Sequence, residues 1–163
     1  MRRWFAALVS AIFFVIAPGT LAGWGPWWIS RWRFESRGIG WLPLRVAGGV
    51  LIVAGMLALP ESFARFAMKG LGTPAPVFPT RHLVISGLYC YVRNPMYVAV
   101  VAVIMGQGLI FPDVRVLEYG ALVWLGFHLF VLGYEEPVLR ATFGQEYTDF
   151  CNSVPRWIPR ARR

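Results

Sequence analysis

The sequence predicts an all-α integral membrane protein of about four transmembrane helices, with a C-terminal amphipathic helix folding over the cytoplasmic end. Three observations predict it. Hydrophobic residues make up 57% of the 163 residues and charged ones 15%. Four long apolar segments recur along the chain, which is the pattern of membrane helices. The arginines sit mainly between and after those segments, where topology signals and contacts to anionic lipid are found. The net charge of +8 therefore belongs to a membrane surface, and no DNA- or RNA-binding motif competes for it. Length suggests one domain over residues 1–163, with two N-terminal helices in residues 1–60.

Residues 4–30 carry no charge, residues 42–60 only Arg45, and residues 94–112 and 119–134 no formal charge. A helix of about 20 apolar residues spans a bilayer, with roughly 17 as the lower limit. The first and third segments meet that directly, and the second and fourth with flanking residues or tilt. The basic start of the chain resembles a signal peptide. The uncharged run continues through WGPWWIS without a small-x-small cleavage site, so the segment reads as a retained helix, kinked at Pro18 and Gly19. Trp24, Trp27, Trp28 and Trp32 suit an interfacial belt.

Four spans place Arg2, Arg3, Arg65, Lys69, Arg81, Arg93, Arg140, Arg156, Arg160, Arg162 and Arg163 on one side, against Arg31, Arg33, Arg37, Arg45 and Arg115 on the other. The more basic side stays in the cytoplasm, so both termini are expected there. The connection over residues 61–93 contains Pro74, Pro76 and Pro79 and should run extended. The connection over residues 112–118 is short, so the third and fourth segments form an antiparallel hairpin. After it, Leu139, Phe143, Tyr147, Phe150 and Val154 recur at helical spacing as one apolar stripe, the amphipathic helix of the prediction.

Two polar clusters bracket the hairpin. Arg93, Asn94 and Tyr97, preceded by Tyr89 and Tyr91, open its first helix; Glu135 and Glu136 close its second. An antiparallel hairpin brings both to one membrane face. Singly, each residue has a plain explanation. Arg93 is a topology anchor, Asn94 an N-cap before Pro95, and Tyr97 an interface aromatic. The acids sit at a helix C-terminus, where the macrodipole opposes them. Their convergence is what suggests a site. His128 and Gln107 read first as groups bonding neighbouring helices. Cys90 and Cys151 have neither metal spacing nor a disulfide framework, so reduced thiols and no metal site are expected. Nucleotide-loop, zinc-protease and nucleophile-elbow motifs are absent.

The stretches TPAPVFPTRHLVISGLYCYVRNPMYVAV and YEEPVLRATFGQEYTDFCNSVPRWIP resemble the membrane methyltransferase superfamily. That superfamily includes the isoprenylcysteine carboxyl methyltransferases and phospholipid N-methyltransferases. Its pattern is G-x-Y-x-x-x-R-[HN]-P-x-Y, a helical hairpin, then E-E-x-x-L-x-x-x-F-G-x-x-Y. Gly87, Tyr89, Arg93, Asn94, Pro95 and Tyr97 match the first block; Glu135, Glu136, Leu139, Phe143, Gly144 and Tyr147 match the second. The likeness covers residues 73–159. It implies S-adenosylmethionine as methyl donor, bound by His82, Leu83, Val84, Tyr89, Asn94, Pro95, Met96, Tyr97, Glu135 and Glu136. Arg93, Glu135 and Glu136 are the candidate catalytic residues. A glutamate suits the donor's ammonium, an arginine a carboxylate, and tyrosine faces a sulfonium.

Asn94 stands where the prenylcysteine enzymes carry histidine, and NPMY and YEEP resemble the phospholipid N-methyltransferases more. Cys90 and Val98–Ala99 also depart from common family residues. The resemblance implies a lipophilic acceptor, a lipid or prenylcysteine-like molecule entering from the membrane. A membrane reductase using a nicotinamide cofactor and a non-catalytic lipid-binding scaffold are the alternatives.

Overall fold

A computed structural model describes residues 16–33, 39–69 and 83–160. Most of the first apolar segment, the prolines of the 61–93 connection and His82 lie outside the described residues. Among those described the structure is helical, with no strand. Ile16 to Pro18 is helical and leads into a π turn, Gly19–Trp24, and then α1, Gly25–Ser30. A 3-10 turn at Ile39–Trp41 opens α2, Leu42–Lys69. A second 3-10 turn, Gly87–Cys90, precedes α3, Pro95–Ile110. Next come α4, Val114–Phe130, a π turn, Val131–Glu135, α5, Glu136–Phe143, and α6, Gln145–Ser153.

Among the described residues two stretches are long and apolar enough to cross a membrane: Leu42–Arg65, of 24 residues, and Val114–Phe143, of 30. Only 17% of each apolar window is buried within the protein. A soluble core helix would be mostly covered, so these surfaces call for lipid. The third predicted span, α3, is apolar but has 16 residues, short of a full crossing. Of the first predicted span, the described part is the helix from Ile16 to Ser30, with the π turn inside it. The predicted kink at Pro18 and Gly19 coincides with the start of the π turn. The belt tryptophans are exposed, with Trp24 and Trp28 stacked at 6.1 Å.

Helix α2 does not stop at Pro60, as the sequence suggests, but runs on to Lys69. Proline removes one ladder hydrogen bond. Packing holds the helix past it: Leu59, Ser62 and Phe63 are all buried around Pro60, and Ser62 Oγ donates to the Ala58 carbonyl at 2.7 Å.

Helices α2 and α3 pack through small residues. A Cβ on Gly106 would lie 2.6 Å from the Gly48 carbonyl oxygen, and one on Gly55 2.7 Å from that of Ala99. Position 48 meets 106 and position 55 meets 99, so the helices are antiparallel. Van der Waals contact of this kind drives association where lipid removes the hydrophobic effect. The α3–α4 pair is a tight hairpin, as predicted. Asp113 caps α4 by accepting from the Arg115 amide at 3.0 Å. The ends of α2 and α4 and the start of α3 therefore share one end of the bundle. At the opposite end Gln107 donates to the Ala22 carbonyl at 2.6 Å and accepts from the Trp32 indole at 3.0 Å. It bonds helices together, as its position suggests. Arg31 and Trp32 both take positive φ, which turns the chain after α1 and delivers Trp32 to that bond.

The C-terminal stripe is real but its helix is not continuous. Gly144, with φ of 54°, separates α5 from α6. Tyr147, Phe150 and Val154 nevertheless form one buried cluster with Leu139, Phe143 and Leu83.

Gly55→Leu is expected to lower stability by about 1–3 kcal/mol through overpacking against α3. Gly49→Leu, at a position with nothing within 4 Å, should be neutral or stabilising by up to about 1 kcal/mol from helix propensity. Unfolding of the two variants in detergent measures the difference.

Candidate active site

Glu135 and Glu136 do not end a helix. The chain stays helical through them, with Glu135 closing the π turn and Glu136 opening α5. The expected conflict with a C-terminal dipole is therefore absent, and a π turn inside a long helix is itself a frequent mark of a functional position.

The two acids have different surroundings. Glu136 is 7% exposed. Its Oε1 accepts from Arg93 Nη1 at 3.1 Å and Arg156 Nε at 2.6 Å; its Oε2 accepts from Arg156 Nη2 at 3.0 Å. Burying a carboxylate is costly without such pairing, and the Arg156 fork is bidentate. Glu135 accepts one described hydrogen bond, from the Tyr97 hydroxyl at 2.9 Å. Tyr97 in turn stacks on Phe127 with ring centres 4.6 Å apart, which fixes the phenol across the hairpin.

Arg93 also donates from Nη1 to Cys151 Sγ at 2.8 Å, while its Nε is buried without a partner. Cys90 and Cys151 are both free thiols, and no metal-binding cluster occurs among the described residues. Pro95 stands at the first position of α3 as predicted. Asn94 occupies the N-cap position but makes no side-chain cap. Its amide donates instead to the Arg156 carbonyl at 3.2 Å. The Arg93 amide donates to the Pro155 carbonyl and the Arg160 amide to that of Tyr91. The YVRN segment is thus laced to the chain that follows α6. Trp157 strengthens the seam by donating to His128 Nδ1 at 3.0 Å. His128 is accordingly a bonding group between segments.

Tyr89 is 6% exposed and its hydroxyl has no partner. Burial raises its pKa well above the usual phenol range, and the Glu135 and Glu61 carboxylates raise it further, so it stays a neutral phenol. It lies within electrostatic reach of both acids. Val84 is buried, Leu83 packs on the Tyr147 cluster, and Met96 packs on the main core. His82 lies outside the described residues.

The structure therefore brings Tyr89, Arg93, Asn94, Tyr97, Glu135 and Glu136 to one end of the hairpin. It adds Arg156 and Glu61, which the sequence reading did not single out. Arg156 could have been found as a cation inside the second matching block. Glu61 was hidden because Pro60 looked like a helix end.

Residues 44–146 match the model of a family described as phospholipid methyltransferase. The chain belongs to the phospholipid methyltransferase family. No curated protein matches it. The matched range holds both glutamates, both site tyrosines and Arg93; Arg156 lies outside it. Family membership makes the chain a methyltransferase of membrane setting, and the two long lipid-facing helices agree with that.

Glu136→Gln is expected to destabilise by about 3 kcal/mol, because it leaves buried guanidinium charge uncompensated. Glu135→Gln should change stability by less than about 1 kcal/mol. Parallel thermal and denaturant unfolding in detergent checks the contrast.

Proposed function

We propose that this protein transfers a methyl group from S-adenosylmethionine to a lipophilic acceptor, a membrane lipid first of all, at the cytoplasmic membrane face. The single observation that carries the reading is the pair of adjacent glutamates with opposite roles. Glu136 is saturated by two arginines, and Glu135 is left largely open beside two tyrosines. A site prepared for a cationic ligand needs such an open carboxylate together with aromatic faces. The unpartnered Tyr89 hydroxyl fits the same requirement, since buried polar atoms are ordinarily satisfied.

When bound, the donor supplies a methyl carbon on a positive sulfur, which leaves as a neutral thioether. The acceptor's lone pair forms the new bond as the carbon–sulfur bond breaks. Glu135 holds the donor's ammonium. Tyr89 and Tyr97 present their ring faces to positive charge. Arg93 is held rigid by Glu136 and Cys151, and is the group for a carboxylate of donor or acceptor. Alignment in a space that excludes water is the main contribution a protein makes to such a displacement. Leu83, Val84, Asn94, Pro95 and Met96 line or brace this end of the bundle, and His82 is assigned by family likeness alone. The distribution of Lys and Arg supports a cytoplasmic site, with both termini on that side. The family match favours a phospholipid over a prenylcysteine-like acceptor.

Equilibrium binding of labelled S-adenosylmethionine to detergent-purified protein tests the reading. Glu135→Gln is expected to weaken binding about tenfold or more, the worth of one hydrogen bond to a charged group. Full affinity in the Glu135→Ala, Glu136→Ala double variant would refute the site. Incubation with labelled donor and native membrane lipids, followed by mass analysis, identifies the acceptor.

A further inference from the structure

Three buried polar atoms at the α2 side of this site lack hydrogen-bond partners: Glu61 Oε2, Ser86 Oγ and Tyr89 Oη. They belong to two separate chain segments that meet closely. Gly87 has φ of +61°, and a Cβ there would run into the Glu61 carboxylate and the Arg65 side chain. The 3-10 turn that carries Tyr89 is therefore seated directly on the Glu61–Arg65 pair. Arg65 Nε donates to Glu61 Oε1, which fixes the carboxylate and leaves Oε2 as the unused oxygen. The pair is about one-third exposed on its outer side, 33% for Glu61, yet Oε2 itself is buried. Glu61 on α2 and Glu135 on the α4 side both act electrostatically on the Tyr89 phenol.

An ionised carboxylate oxygen only accepts hydrogen bonds, whereas serine and tyrosine hydroxyls donate and accept. The complement of this trio is a group bearing O–H or N–H hydrogens. Native proteins rarely leave three such atoms unsatisfied. Tyr89 links this trio to Glu135, because both carboxylates act on its phenol. We propose that Glu61, with Ser86 and Tyr89, is a further wall of the donor pocket and binds hydroxyl or ammonium hydrogens of S-adenosylmethionine. This rests on the methyl-transfer reading above. The hydrogens come from either the ribose diol or the α-ammonium of the donor.

The test is equilibrium binding of tritiated S-adenosylmethionine to full-length protein in detergent, with unfolding temperatures measured alongside. Glu61→Gln keeps the shape and the Arg65 contact, and weakens binding about tenfold. Ser86→Ala removes a hydroxyl that no protein group pairs, so it weakens binding several-fold while the unfolding temperature stays level or rises. A purely structural role predicts the reverse, unchanged affinity with altered stability. Competition separates the two sources. If Glu61→Gln weakens both S-adenosylhomocysteine and 5′-methylthioadenosine, the ribose is the contact. If it weakens only S-adenosylhomocysteine, the ammonium is. Should Glu61→Gln fail to fold, Ser86→Ala decides the question alone. Affinities within about twofold of wild type for both variants, in every arm, overturn the inference and leave the methyl-transfer reading standing. An unmodified protein that binds no donor overturns both.

Discussion

The carboxylate of Glu136, shared between Arg93 and Arg156, is the interaction on which the site depends. It joins three parts of the chain distant in sequence: the entrance to α3, the middle of the long α4–α5 run, and the segment after α6. Each arginine brings its own backbone with it. Arg93 is the residue whose amide meets the Pro155 carbonyl, and Arg156 is the residue whose carbonyl receives Asn94. A buried carboxylate is costly unless fully paired, so the pairing and the chain lacing depend on each other.

The same interaction explains why two neighbouring glutamates are not redundant. Successive residues on a helix point about 100° apart. With Glu136 committed to the arginines, Glu135 is turned toward the Tyr97 phenol and Tyr89. One acid builds the frame and the other remains chemically open. A single glutamate could not do both, because the arginines already take both oxygens of Glu136.

Much of this was legible in the sequence, and the part that was not has physical causes. The hairpin and the meeting of Arg93 with the acids followed from two apolar runs joined by a short turn. The apolar stripe from Leu139 to Val154 was visible because side-chain periodicity survives a local break. The break at Gly144 was not visible, since a glycine within a periodic run is usually tolerated. The length of α2 was misjudged because proline is normally a boundary. Here the burial of Leu59, Ser62 and Phe63 outweighs one lost hydrogen bond. That misjudgement concealed Glu61. The division of labour between the glutamates needed Arg156, and no local pattern relates residues 93, 136 and 156.

The architecture also accounts for how a polar site can stand at the edge of so apolar a chain. Gly48, Gly55 and Gly106 let α2 and α3 approach backbone to backbone, which carries the end of α2 in beside the start of α3. Arg65 and Glu61 are then held over Gly87, whose positive φ and missing Cβ allow the 3-10 turn to sit there. The turn presents Tyr89 inward, to the side where the hairpin presents Tyr97 and Glu135. Close packing at the glycines and the charge pairing at Glu136 thus position two different parts of the same end of the bundle. One sets how near α2 stands, and the other sets where the α4–α5 run and the C-terminal segment stand. At that end Glu61 Oε2, Ser86 Oγ and Tyr89 Oη are buried without protein partners, which is why the packing that carries them there bears on the proposed site.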